Sequence, residues 1–225
     1  MLGGAGRVGG WIAPWLGRTH DVTVLDVVAG DGVVPVDALD RQAMAAALVG
    51  HDALIHLCAV VPRGGEALDP ARVGLAWAVN VGSVAQSLLA CRDAGVGRFV
   101  HMSSLSVFSD AGVALLDPAA PGDSVQPYGL SKRIAEATCG ELAAQLGIDA
   151  VSIRVGWPTS DDLAPLWLEP STGQPVEVRR RDGGVIPAIG GGCLASAILT
   201  ELEREAAPGH RAVAVVADRA SVFTR

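Results

Sequence analysis

Aromatic residues are scarce in this chain: three Phe, five Trp and a single Tyr among 225 residues. Its core must therefore be built from Ala, Val, Leu and Ile, and a composition that is 50% hydrophobic supplies them. Basic charge is also short, with 17 Lys and Arg against 24 Asp and Glu and a net charge of −7. That balance argues against a nucleic-acid backbone or an anionic membrane as the main partner. No apolar run in the sequence approaches the roughly 20 residues that a membrane span needs. The glycine-rich start lacks the continuous apolar stretch of a signal peptide, so the expected location is cytoplasmic. The four cysteines, Cys58, Cys91, Cys139 and Cys193, show no C-x-x-C spacing, which favours buried reduced thiols. His51, His56, His101 and His210 show no metal-ligand spacing and His20 stands alone, so no metal site is expected. The sharpest scarcity is of lysine. Lys132 is the single lysine and Tyr128 the single tyrosine, and they sit together in YGLSK, residues 128–132. Four residues apart on a helix, they share one face.

What is present is an alternation of short apolar runs with helical stretches. Strands are expected at 21–28, 32–36, 52–61, 98–104, 150–156 and 212–218. Helices are expected at 40–50, 81–95, 127–147 and 194–209, the first three ended by Gly50, Gly95 and Gly147. Pro127 suits the first turn of its helix. Near-continuous apolar strands alternating with helices imply an α/β fold with a parallel sheet covered on both faces. Residues 157–193, rich in proline and glycine, read as an irregular segment over one end of the sheet. Within it, the run Arg179, Arg180, Arg181 reads chiefly as a solvated hairpin tip.

The chain opens on LGGAGRVGG, in which Gly3, Gly6 and Gly9 fit G-x-x-G-x-x-G and a helix can begin near Arg7. Such glycines let the backbone approach a pyrophosphate at a helix N-terminus. The following strand ends at Asp26, where a carboxylate accepts hydrogen bonds from ribose hydroxyls and repels a 2′-phosphate. This favours NAD over NADP. Only Met1 and Leu2 precede the glycines, so the first strand looks truncated, which would leave its two neighbours without a ladder partner. Pro14 should kink the first helix.

Taken in order, the glycine loop, HLCA (56–59), VNVGS (79–83), HMSSLSVF (101–108), YGLSK and IRVGWP (153–158) resemble an extended short-chain dehydrogenase/reductase. More narrowly they resemble the NAD-dependent epimerase/dehydratase family, and within it the uronate dehydrogenase branch. The resemblance covers residues 3–158 well. It implies a Rossmann-type doubly wound sheet, with a dinucleotide-binding part over 1–156 and a short substrate-side part over 157–225. It implies Tyr128 as general acid/base, with Lys132 lowering the phenol pKa and holding the nicotinamide ribose. Ser104 would hydrogen-bond the substrate oxygen, with Ser103 a lesser candidate. Gly3, Gly6, Arg7, Val8 and Gly9 would line the NAD pyrophosphate, Asp26 the ribose and Asp37 the adenine. Leu57, Cys58 and Ala59 would flank the adenosine, and Asn80 would brace the backbone of the site. Arg154 would face a substrate carboxylate.

These implications point to an NAD-dependent oxidoreductase acting on a sugar or sugar acid. Leu105 and Ser106 stand where the family's 4,6-dehydratases carry Asp-Glu, which argues against dehydration. The branch's Asn-His pair is absent from the same two places. A nucleotide-sugar epimerase with tightly held NAD, and a non-catalytic NAD-binding or regulatory protein, are the alternatives. The family's usual dimer would form through helices 81–94 and 127–146.

Overall fold

The computed structural model describes residues 1–62, 69–117 and 120–224. Its main elements are α1 (Arg7–Leu16), β1 (Val24–Asp26), β2 (Val33–Pro35), α2 (Arg41–Ala47), β3 (Ala53–His56), α3 (Pro70–Trp77), α4 (Ser83–Ala94), β4 (Arg98–Ser104), α5 (Pro127–Leu146) and β5 (Asp149–Val155). Six two-residue strands follow: β6 (Pro158–Thr159), β7 (Trp167–Leu168), β8 (Pro175–Val176), β9 (Val178–Arg179), β10 (Val185–Ile186) and β11 (Ile189–Gly190). The last elements are α6 (Gly191–Glu203) and β12 (Gly209–Val215). Strands β3, β4, β5 and β12 form one parallel sheet in the order β12-β5-β4-β3, and β1 pairs with β2, also in parallel.

A single residue joins these two blocks. Leu2 bridges Leu25 of β1 on one side and His56 of β3 on the other. Its N–H donates to the Ile55 carbonyl at 2.9 Å, and its carbonyl accepts from Leu57 N–H at 2.8 Å. On the β1 side, Leu25 N–H donates to Met1 O and Gly3 N–H donates to Leu25 O, both at 2.8 Å. The Met1 ammonium continues the ladder by donating to Thr23 O at 2.6 Å, and burial pulls its pKa down to about 6. The Leu2 side chain is fully buried. Leu2 thus supplies the ladder partner that β1 and β3 were expected to lack, where the sheet meets the glycine turn.

Both faces of the sheet are covered. Alternate residues of each strand point to opposite faces, and two separate cores follow. Leu2, Leu54 and Phe99 pack with Met44 of α2, Leu88 of α4 and Ala135 of α5. Val100, Met102 and Ile153 pack with Ile12 of α1 and Leu194 and Ile198 of α6. Helices α1 and α6 approach so closely that a Cβ on Gly191 would lie 2.7 Å from Trp11 O. α1 runs through Pro14 to Leu16. The proline sits in the last turn, where only the Gly10 carbonyl loses its donor.

Several expectations shift. The helix foreseen over 81–95 is the second half of a longer one: α3, a π-helical turn at Ala78–Gly82 and α4 run on end to end. Pro70–Ala94 is long and apolar enough to cross a membrane by length and composition, a stretch not recognised in the sequence. Here Val84, Leu88, Ala90 and Cys91 of this helix are buried in the protein core. The segment 157–193 is more ordered than foreseen, with two antiparallel hairpins, β7–β8 and β9–β10, and a parallel pair, β6–β11. At the β9–β10 tip Arg179 is exposed. Arg180 is largely covered and binds Asp182 and the Ser221 carbonyl. Cys193 is exposed rather than buried, while Cys91 and Cys139 are buried thiols pushed up to about 12 by desolvation.

Candidate active site

At the C-terminal ends of the strands lies a cavity of about 510 Å³. It is lined by Gly3, Gly6, Arg7, Val8 and Gly9 from the opening turn, by Leu57 and Ala59 beyond β3, and by Ser103, Ser104 and Ser106 at the end of β4. Tyr128 and Lys132 of α5 complete this half. The opening turn has the shape of a phosphate cradle. Gly3 holds φ at +75°, and a Cβ there would lie 2.8 Å from the Cys58 nitrogen. A Cβ on Gly9 would lie 2.1 Å from the Gly4 carbonyl oxygen. These close backbone approaches leave the start of α1 open to an anion. Asp26, at the end of β1, ties itself to this turn. Its Oδ2 accepts from Ala5 N–H at 3.0 Å and its Oδ1 from Val28 N–H at 3.1 Å. The cradle, the cavity behind it and the carboxylate at its edge fit a dinucleotide.

Lys132 is 1% exposed and donates to the Met102 carbonyl at 2.7 Å. Burial pulls its pKa down to about 8, against the pull of Cys58, Cys139 and Glu136. Tyr128 lies one turn earlier on the same helix, at the cavity wall. The two serines separate by partner. Ser103 Oγ donates to Glu136 Oε1 at 2.6 Å. Ser104 Oγ accepts from Ser106 N–H at 3.1 Å and donates to Ser106 Oγ at 3.0 Å, so it stays at the cavity surface.

Asn80 lies beneath the cavity, inside the π-helical turn. Its Oδ1 accepts from Val60 N–H at 2.8 Å, and its Nδ2 donates to Val60 O at 2.9 Å and to Ser131 Oγ at 2.9 Å. Ser131 in turn donates to Tyr128 O at 2.7 Å. The extra residue of a π turn re-aims one side chain, and this turn aims Asn80 at the loop that carries Leu57 and Ala59.

Three expected residues stand apart. Cys58 lies beneath Gly3, where burial pushes its thiol up to about 12. Asp37 is exposed, accepts from Leu39 N–H at 2.9 Å and does not line the cavity. Arg154, foreseen against a substrate carboxylate, is also outside it. The side chain emerges on the α5 face of β5, where Nε and Nη2 bind both oxygens of Glu136 at 2.8–3.2 Å. Conversely, sequence reasoning passed over Trp11, Trp157, Trp167, Leu168 and Pro170, which line the cavity. It also passed over Glu136, although Tyr128, Lys132 and Glu136 recur at i, i+4, i+8. Among the described residues no group of three or more His, Cys, Asp and Glu side chains could hold a metal.

The NAD dependent epimerase/dehydratase family model matches residues 1–160. An L-arabinose 1-dehydrogenase (NAD(P)(+)) from Haloferax volcanii is 30% identical over 180 residues, covering 72% of this chain and 67% of its own. A UDP-glucose 4-epimerase from Streptomyces lividans is 30% identical over 166 residues, 68% of this chain and 50% of its own, so this chain spans half to two thirds of these relatives. Among solved structures, a mutated uronate dehydrogenase superposes with a TM-score of 0.75 at 21% identity, covering 99% of this chain and 74% of that one. With the glycine cradle, Tyr128 and Lys132 around one cavity, these matches carry the assignment: the chain belongs to the NAD-dependent epimerase/dehydratase family, and its cofactor is NAD.

Proposed function

We propose that this protein oxidises a secondary or anomeric hydroxyl of a sugar, with Tyr128 as general base. When bound, NAD supplies the acceptor for a hydride. Gly3, Gly6 and Gly9 would cradle its pyrophosphate, Asp26 its adenosine ribose and Lys132 its nicotinamide ribose. The Tyr128 phenolate would take the hydroxyl proton as the C–H hydride leaves the same carbon, so the product is a ketone or lactone. Ser104 would hydrogen-bond the reacting oxygen and hold it near the phenol. The buried Lys132 ammonium favours the phenolate by its charge. Helices α4 and α5 would carry a homodimer.

The observation that supports this reading best is the convergence of Ser104, Tyr128 and Lys132 on the cavity that also holds the glycine cradle. The test is NADH production from NAD over a panel of aldoses and sugar acids, with Tyr128→Phe beside the wild type. A loss of about 10²-fold or more in turnover is expected for the variant. Equal turnover in both would remove Tyr128 from the chemistry. Interconversion of two sugars without net NADH would move the reading to epimerisation.

A further inference from the structure

Beyond the hydroxyl groups of Ser104, Ser106 and Tyr128, the cavity has a second wall of different chemistry. Trp157 and Pro158 follow β5 directly, and Trp167, Leu168 and Pro170 come from the β7–β8 hairpin. With Trp11, three of the chain's five tryptophans line this one cavity. Among the described lining residues there is no Asp or Glu, and the cations are Arg7, at the phosphate cradle, and Lys132, beneath Tyr128. Arg154, the cation foreseen for a carboxylate, is held by Glu136 outside the cavity.

Trp157 is held in place at some cost. Its φ is +48°, a backbone setting that a bulky side chain seldom adopts. Such outliers persist where surrounding structure enforces them, and they gather at ligand sites. Here the enforcement is visible. Trp157 O accepts from Ile189 N–H at 3.1 Å. The six-membered ring lies against Gly112, where an added Cβ would come within 2.9 Å of Cζ2. Gly112, itself at φ +79°, leaves the space that the indole fills.

The geometry points to Trp157 as the specificity-determining residue, and to a neutral sugar rather than an anionic one as the substrate. A pyranose has hydroxyls at its rim and C–H groups on its faces. Its reacting hydroxyl meets Ser104 and Tyr128 while an apolar face covers the indole, whose π-surface favours C–H partners. A carboxylate or phosphate brought to the Trp157, Leu168 and Pro170 wall would lose water without gaining a charge partner there. This deepens the oxidoreductase reading above and rests on the same cavity.

The test pairs each of several aldoses with its own sugar acid: galactose with galacturonate, glucose with glucuronate, mannose with mannuronate. Affinity is measured by calorimetry and by indole fluorescence on protein saturated with NADH, and kcat/KM is measured with NAD. At least a tenfold preference for a neutral member over its acid is expected in both readouts. Trp157→Ala should raise KM for the neutral sugar at least tenfold with a smaller change in kcat, and Trp157→Phe should keep part of the affinity. Gly112→Ala, which displaces the indole without removing it, should move KM in the same direction. NAD affinity should hold within about twofold in every variant, which also shows that each one folds. Tighter binding of the sugar acids, or of neither class, overturns the proposal, as does a Trp157→Ala variant with an unchanged neutral-to-acid ratio. If no sugar yields NADH, the oxidoreductase reading fails, and the binding comparison still decides this one.

Discussion

The Lys132 ammonium donates to the Met102 carbonyl at 2.7 Å, so the chain's single lysine is anchored to the strand under the cavity floor. An ammonium this deeply buried is costly unless it is used. Lys132→Met keeps the length and removes the charge. Turnover should fall by about 10²-fold or more and NAD affinity by about tenfold, since the proposed phenolate support and ribose contact would be lost together. Thermal stability should not fall, because the apolar substitute removes a desolvation cost. A variant that loses stability while keeping turnover would mark Lys132 as structural.

His56 and His101 are fully buried beside that charge. Burial, then the Lys132 charge, pulls His56 down to about 3 and His101 well below the usual histidine value. His56 Nε2 bonds Ser83 Oγ at 2.8 Å and His101 Nδ1 bonds Ser152 Oγ at 3.0 Å, so both are anchored as neutral rings. Below about pH 6.5 the unfolded chain takes up two protons that the folded chain refuses. Their contribution is therefore intact above that pH. It is lost on acidification at about 1.4 kcal/mol per pH unit for each ring, down to about pH 3 for His56. Urea unfolding at pH 7, 6 and 5 should show this slope, to which His210, also pulled down by burial, adds, and His56→Leu should remove about one ring's share of it. An unchanged slope would assign acid sensitivity elsewhere.

Asn80 grips both backbone groups of Val60, and the loop it holds carries Leu57 and Ala59 into the cavity. Asn80→Ala would remove both hydrogen bonds from the half-buried Val60 N–H and C=O, costing about 1 kcal/mol for each. Asn80→Asp keeps an acceptor for Val60 N–H but turns a second oxygen toward Val60 O. It should therefore be no better than the alanine variant. Both should weaken NAD binding several-fold in calorimetry. Wild-type affinity in either variant would separate the clamp from the cofactor site.

Much of this site could be read in the sequence. Gly3, Gly9, Asp26, Ser104, Tyr128 and Lys132 carry local spacing that survives folding, and each lines or adjoins the cavity. Leu2 was harder. Two residues before a glycine turn look like a missing strand, and only the ladder shows one residue serving both neighbours. The π turn around Asn80 left no periodic signature, because one added residue shifts the helix phase without breaking it. Arg154 failed for a tertiary reason: strand alternation sends it to the α5 face, where Glu136 waits. Trp157 was hidden differently. Its importance lies in a backbone angle and in contact with Gly112, forty-five residues away in the chain.

Asp26 is the residue we propose to govern cofactor choice. The carboxylate is spoken for at both oxygens, by Ala5 N–H in the glycine turn and by Val28 N–H beyond the strand. Each oxygen keeps a second acceptor direction for a ribose hydroxyl, and the negative charge opposes a 2′-phosphate. Val27 and Val28, the next residues, are exposed and apolar and offer that phosphate no cation. Asp26→Ser should therefore shift the NADP-to-NAD ratio of kcat/KM at least tenfold toward NADP, mainly by weakening NAD. The two N–H groups lose a charged acceptor, so stability should fall by about 1–3 kcal/mol. The two effects are separable, because NADP binding to the Asp26→Ser variant can be measured by calorimetry below the lowered Tm. A stability loss with an unchanged cofactor ratio would make Asp26 a brace for the glycine turn, and would shift the discrimination to residues around Arg7.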